Sequence, residues 1–435
     1  MTAIARDRAD PDMRRGACPA LSAPMMTGDG LLARVPLTAA IAPEQLADLC
    51  RLAMRHGNGM IDISARGNLQ IRGLSETSAP RLEAEVRAMD LPLRDGLAVE
   101  VPPLAGEDAT EIAGPRPLAD AIRDRARDLQ GLAPKTSVIV DGAGRLRLSG
   151  LIADIRLVAA EADGEIRWKI LLGGTEASGR VFNVFAETQA IEATVSLLEK
   201  LASLGSDARG RDIASALPVN DFTAATVSPF TLHPLSDGTF ATGIGPAFGQ
   251  THAENLIALC NEATRLDIRT VKPALDHSLL FSGSQATCRT LTAFAADTGF
   301  VTSSTDPRGH IAACTGRPAC RSGTIATHEI ATRAAAECTD LLDGSFKLHV
   351  SGCPKGCAHP QATALTLCGM PDHVSLVASA KASGQPFASI AFADTNATLR
   401  RLADLVRSER RSGENSAACL ARIGPDRLRQ AAIPG

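Results

Sequence analysis

The strongest constraint on this chain is an internal repeat with an offset of 210 residues. Leu46, Leu49, Cys50 and Ala53 fall at i, i+3, i+4 and i+7, the spacing of one buried helix face. The run begins at Pro43, at the first helical position, where proline is best tolerated. The same face returns as Leu256, Leu259, Cys260 and Ala263. Alternation and turn residues predict strands over 31–36, 60–64 and 68–72 around the first helix, and over 239–244, 268–271 and 279–282 around the second. Gly28-Asp29-Gly30 and Asp237-Gly238 mark turns ahead of the two leading strands, and Thr251-His-Ala-Glu254 reads as a capping box opening the second helix. Strand–helix–strand–strand is roughly half of a ferredoxin-like sandwich. Such a unit has one apolar face to cover, so the two copies are expected to pair across a pseudo-two-fold axis, an α+β fold.

The offset continues further along. Ser137-Val-Ile-Val-Asp-Gly142 matches Lys347-Leu-His-Val-Ser-Gly352, and past that point the copies part: Cys353 and Cys357 fall on Ala143 and Arg147. A second unit is therefore duplicated too, with thiols in one copy. The sequence predicts an irregular leader over 1–26, a first ferredoxin-like half over 27–90 and a first α+β unit without cysteine ligands over 91–204. A connector over 205–225, a second half over 226–300 and a thiol-bearing α+β unit over 301–435 follow, the last ending in Arg-rich surface helices.

The thiols sit in two Gly/Pro-rich loops, Cys314-Thr-Gly-Arg-Pro-Ala-Cys320 and Ser351-Gly-Cys353-Pro-Lys-Gly-Cys357-Ala-His-Pro360. Gly316, Gly352 and Gly356 allow tight bends that aim backbone N–H groups at sulfur, Pro318 and Pro354 stiffen them, and Arg317 and Lys355 supply positive charge. Four thiolates of this kind suit an iron–sulfur core. Zinc and buried structural thiols are the rivals, although structural zinc favours C-x2-C to C-x4-C knuckles over this C-x5-C with C-x3-C pattern. Cys314, Cys320, Cys353 and Cys357 are the predicted metal ligands.

Bulk composition excludes several partners. A net charge of −3 and 3% aromatic residues, with one Trp and no Tyr, argue against nucleic acid. Residues 1–15 mix both charges without an apolar run, and no stretch approaches the length of a membrane span, so a cytoplasmic protein with reduced or metal-bound cysteines is expected.

Cys-x5-Cys followed by Gly-Cys-Pro-Lys-Gly-Cys resembles the cluster motif of the sulfite and nitrite reductase family, whose fold is likewise built of duplicated ferredoxin-like halves and duplicated α+β units. More narrowly, five segments resemble the precorrin-3B synthase branch: Arg15-Gly-Ala-Cys-Pro, Thr27-Gly-Asp-Gly-Leu-Leu-Ala-Arg34, Arg66-Gly-Asn-Leu-Gln-Ile-Arg-Gly73, 313–320 and 351–360. That resemblance implies a monooxygenase of the aerobic cobalamin pathway. Its substrate is the tetrapyrrole precorrin-3A, hydroxylated by dioxygen at the meso carbon between rings A and D with closure of a lactone. It also implies a 4Fe-4S cluster and a mononuclear non-haem iron of unknown ligands, with His310, His328, His349 and His359 nearest the cysteine motifs in sequence.

Departures from the reductases bear on which branch is meant. Where sulfite reductases hold sirohaem with a Lys-x-Lys pair this chain has Ala133-Pro-Lys135, and of their paired arginines on the first strand Arg34 remains beside Leu32. A thinner basic set suits a tetrapyrrole that must leave, and sirohaem belongs to the alternative reading of a sulfite or nitrite reductase. Arg34, Arg66, Arg72 and Lys135 are the candidates for substrate carboxylates, since a guanidinium fork can hold a carboxylate bidentately. Gly243-Ile-Gly-Pro-Ala-Phe-Gly249 reads as a turn, because Pro246 lacks the N–H that a phosphate would need there. Electrons are accordingly expected from an external NAD(P)H-linked reductase.

Overall fold

A computed structural model of the chain describes residues 19–221 and 227–433. The segment Arg15-Gly-Ala-Cys18, most of the leader and the end of the 205–225 connector lie outside the described residues. The chain forms two compact units, residues 19–24 with 32–304 and residues 25–31 with 305–433. Among the described residues no helix is long and apolar enough to cross a membrane.

The first unit contains both ferredoxin-like halves. One runs through strand Gly30–Val35, helix Pro43–His56, strands Met60–Ile63 and Leu69–Leu74, and helix Ser78–Ala88. The other runs through strand Phe240–Ile244, helix Ala253–Arg265, strands Thr270–Pro273 and Leu279–Gly283, and helix Gln285–Asp297. In each half the third strand lies between the first two. The helices Pro43–His56 and Ala253–Arg265 pack on one another and bury the two matching faces read from the sequence. Cys50 is part of that core, and burial pushes its thiol up to about 12.

One expectation fails locally. The helix starts at Ala253 with no side-chain cap, because Gln250–His252 is a strand that pairs with Met60–Asp62 of the other half. Thr251 is committed to that ladder, which overrides the capping-box pattern. The pairing also stitches the two halves into one unit.

The first unit further holds a sheet of strands Ala98–Glu100, Ser137–Asp141, Ile155–Ala162, Glu165–Leu172 and Arg180–Phe185 in chain order, the first two pairings parallel and the last two antiparallel. Helices Arg116–Arg125 and Glu187–Ser203 cover it, and Leu118, Ile122, Val138, Ile155, Trp168, Ile170 and Leu198 form its core. The second unit repeats the plan with strands Ile311–Ala313, Leu348–Ser351, Thr363–Gly369, Val374–Ala380 and Ala388–Ile390, in the same order and with the same directions. Its helices are Thr327–Glu337, Thr395–Glu409 and Ser416–Ala432. Pairing direction thus shows the duplication independently of sequence offset.

Candidate metal centre

Ile311–Ala313 and Leu348–Ser351 are adjacent parallel strands, so the loops that follow them leave the same sheet edge at neighbouring points. Ligand sites of sheets with parallel strands form outside such carboxyl ends. Cys314 follows the first strand directly and Cys353 follows the second by two residues. The Cys314 N–H donates to Val350 O at 3.3 Å, and the Gly352 N–H donates to Cys314 Sγ at 3.1 Å. Thr327 Oγ1 donates to Cys314 O, holding the same residue from the following helix. The first loop is closed by Cys320 N–H to Gly316 O at 2.7 Å and Arg317 N–H to Ile325 O at 2.8 Å, and Thr324 N–H reaches across to Gly352 O at 2.9 Å.

Three glycines permit this approach. A Cβ on Gly352 would stand 3.1 Å from Gly323 Cα, 3.3 Å from Gly316 Cα and 3.5 Å from Cys314 Sγ. Gly28 is pressed on the same loop: a Cβ there would be 2.6 Å from Arg321 N and 2.8 Å from Ala319 O. The Thr27-Gly-Asp-Gly segment and the Cys320 loop, far apart in sequence, are therefore one structural feature.

Burial raises the Cys314 thiol to about 11, opposed by the N–H groups of Gly352 and Gly316, while Cys320 and Cys357 push it further up. Cys353 is raised by burial and by Cys320, and eased by the Lys355 N–H and ammonium. Cys320 thus acts on both Cys314 and Cys353, Cys357 acts on Cys314, and Cys357 is the exposed member. Among the described residues no three His, Cys, Asp or Glu side chains meet closely enough to ligate a single metal ion.

His349 lies on the strand leading to Cys353, fully buried, and neither ring nitrogen has a hydrogen-bond partner. Burial, followed by His359 with its ring centroid 5.8 Å away, pushes it down to about 4, so it is a neutral imidazole near neutral pH. His310 Nδ1 lies 2.8 Å from Leu342 O, and His328 sits in the first turn of helix Thr327–Glu337.

The four basic candidates all belong to the first unit. Arg34 is half-buried with an Nε that has no partner. Arg66 Nη2 donates to Ile152 O at 2.7 Å, and Gly67 beside it has φ of +71°, a left-handed turn whose Cβ would strike Ala274 O at 2.9 Å. Arg72 is buried and ion-paired to Asp62 at 2.9 Å. Lys135 is half-buried, and its carbonyl accepts from Arg209 at 3.1 Å.

A family model described as "Nitrite/Sulfite reductase ferredoxin-like half domain" matches residues 24–89. A precorrin-3B synthase of Sinorhizobium sp is 39% identical to this chain over 96% of its length and 94% of the relative's. The chain belongs to the precorrin-3B synthase family. A ferredoxin–nitrite reductase of Synechococcus elongatus is 24% identical over 77% of the chain and 75% of that protein. The solved Mycobacterium tuberculosis NirA protein shares the fold, with a TM-score of 0.70 and 16% identity over 92% of this chain and 85% of that one. The precorrin-3B synthase family is thus a branch of the sulfite/nitrite reductase-like enzymes, and the chain is an oxidoreductase of that type.

In the copy without thiols, this member of the precorrin-3B synthase family fills the Cys357-equivalent position with Arg147. Its Nη2 donates to Glu176 at 2.7 Å and its Nε lies 3.5 Å from Asp141, both acids being buried. Asp141 in turn accepts from the N–H groups of Ala143 and Leu148 at 2.8 and 3.1 Å. Sequence reasoning passed over one further residue, Lys272. The available signal was the repeat itself, which sets Lys272 opposite Asp62.

Proposed function

We propose that this chain is the monooxygenase of aerobic cobalamin biosynthesis that hydroxylates the meso carbon between rings A and D of precorrin-3A and closes a lactone through a ring-A acetate, giving precorrin-3B. The observation that carries the reading is 39% identity to a precorrin-3B synthase along nearly the whole of both chains. One atom of dioxygen enters the macrocycle and the other leaves as water, with two electrons supplied by an external NAD(P)H-linked reductase.

Cys314, Cys320, Cys353 and Cys357 would hold a 4Fe-4S cluster, which when bound relays those electrons one at a time. The fit rests on four thiols from two loops at one sheet edge, and on the Gly352 N–H already aimed at Cys314 Sγ. Charge-assisted N–H bonds of this kind stabilise an anionic sulfur. Arg34 has an unpaired buried Nε and is the best-prepared donor for a substrate carboxylate; Arg66 and Lys135 are further candidates. Arg72, already neutralised by Asp62, would contribute by fixing strands Met60–Ile63 and Leu69–Leu74. A mononuclear non-haem iron, when bound, would supply the oxygen-activating chemistry, and His310, His328, His349 and His359 are the histidines nearest the cysteine motifs in sequence.

The test is anaerobic purification with iron and sulfide counts, followed by precorrin-3A, reductase and oxygen. Oxygen uptake that depends on precorrin-3A, with a product heavier by one oxygen atom, is the expected result. Tightly bound sirohaem in the visible spectrum would overturn it in favour of a sulfite or nitrite reductase.

A further inference from the structure

Lys272 is 9% exposed, and its ammonium has no hydrogen-bond partner. Its strand, Thr270–Pro273, is fixed on both sides: it pairs with Leu279–Ser282, and Val271 exchanges backbone hydrogen bonds of 2.9 and 2.7 Å with Ile41. The strand cannot carry the lysine out to water without breaking that ladder. In the other half the equivalent residue is Asp62, whose carboxylate receives Arg72 at 2.9 Å and Gln250 at 2.6 Å. The counterpart of Arg72 is Ser282. A position that is acidic and neutralised in one copy is basic in the other, and its neutralising partner is gone.

Lys272 lines a cleft within residues 32–304. Arg66, Arg94 and Arg123 line it too, and Glu100 is the one carboxylate among its lining residues. Glu100 is taken by Arg94 at 3.4 Å. Arg123 donates to Val99 O at 2.9 Å and to Asp120, and its Nε has no partner. The cleft therefore carries an excess of positive charge against apolar walls that include Leu37, Leu148, Leu151 and Leu275. Burial pushes the Lys272 ammonium down to about 8, with Arg116 and Arg123 acting the same way and Glu107 against them. Buried charge of this kind is ordinarily found paired.

We propose that this cleft binds an organic carboxylate, with Lys272 as its counter-ion, Arg66 and Arg123 as flanking donors, and the leucines as the wall for its hydrocarbon. Two sources share that chemistry. One is an acidic side arm of the tetrapyrrole, which rests on the function proposed above; the other is a free dicarboxylic acid.

Calorimetric titration of the full-length protein with glutarate and, separately, with the octacarboxylate uroporphyrin tests this, using wild type, Lys272→Met and Lys272→Arg. Glutarate is expected to bind wild type at least tenfold more tightly than Lys272→Met, with Lys272→Arg between them. It should raise the unfolding temperature of wild type and leave that of Lys272→Met unmoved. Removing an unpaired buried cation should not lower the unfolding temperature of the free protein, so loss of binding will not be loss of fold. Equal glutarate affinity for wild type and Lys272→Met overturns the proposal, as does inorganic phosphate binding as tightly as glutarate. Uroporphyrin binding that also depends on Lys272, and competes with glutarate, assigns the site to a tetrapyrrole arm. Uroporphyrin binding indifferent to Lys272, beside Lys272-dependent glutarate binding, assigns it to a free acid. Because the glutarate measurement makes no use of precorrin chemistry, its outcome stands apart from that of precorrin-dependent oxygen uptake.

Discussion

The Gly352 N–H donates to Cys314 Sγ across 3.1 Å, joining two loops whose cysteines are 39 residues apart in sequence. The bond exists because Gly352 can lie against Gly316 and Gly323 with nothing between the backbones. Gly352→Ala places a methyl 3.1 Å from Gly323 Cα and 3.3 Å from Gly316 Cα, contacts that must be relieved by spreading the loops. Overpacking of this kind costs about 1–3 kcal/mol. The variant is expected to fold, to carry less iron and sulfide than wild type, and to lose them faster to a chelator, as followed by visible absorbance.

Arg72 and Asp62 form a buried pair, so removing one partner strands the other. Arg72→Met is expected to destabilise the protein by roughly 3–5 kcal/mol, and the double variant Arg72→Met, Asp62→Leu by far less. Chemical denaturation of wild type, both single variants and the double variant measures the coupling. Equal stability of the two single variants and wild type would contradict the pair's structural role.

Arg34 offers the opposite case, a buried Nε with no partner to lose. Arg34→Met should leave unfolding temperature and iron content close to wild type while weakening tetrapyrrole binding by about 1.5–3 kcal/mol, the range of hydrogen bonds to charged groups. Binding read by absorbance titration separates this outcome from general damage, which would reduce iron content as well.

Stability should depend on alkaline pH through Lys272. Its folded value is near 8, depressed by burial, below the ordinary lysine value of 10.5. Below about pH 8 the group is charged in both folded and unfolded chains, and the burial penalty is present in full. Between about 8 and 10.5 the unfolded chain holds the proton and the folded one does not, so this group's contribution to stability rises with pH. Comparing wild type with Lys272→Met by denaturation across that window isolates the effect, since the difference between them should shrink as pH rises.

The helix faces at Leu46–Ala53 and Leu256–Ala263 were legible because a 3.6-residue period survives in one dimension. The cysteine loops were legible because glycine and proline announce tight backbone. Thr251 misled because its four-residue signature is local, whereas its strand partner is Ile61, 190 positions earlier. Arg72 was singled out without its neutraliser, since recognising Asp62 requires the register of Met60–Ile63 on Leu69–Leu74. Lys272 was missed for the same reason: the cleft around it is assembled from residues as distant as Leu37 and Leu275, and no short window contains it.

The loop that Arg147 closes has a consequence for how the chain matures. Asp141, Arg147 and Glu176 pair with one another, so the sheet they support can reach its final form whatever the state of cellular iron. The loops of Cys314 and Cys353 emerge later, Cys314 being 138 residues past Glu176, after that sheet has been made. With the cluster proposed above held by these loops, iron starvation should leave a population arrested late in maturation, with residues 98–203 resistant to proteases and the cut sites concentrated in 314–360.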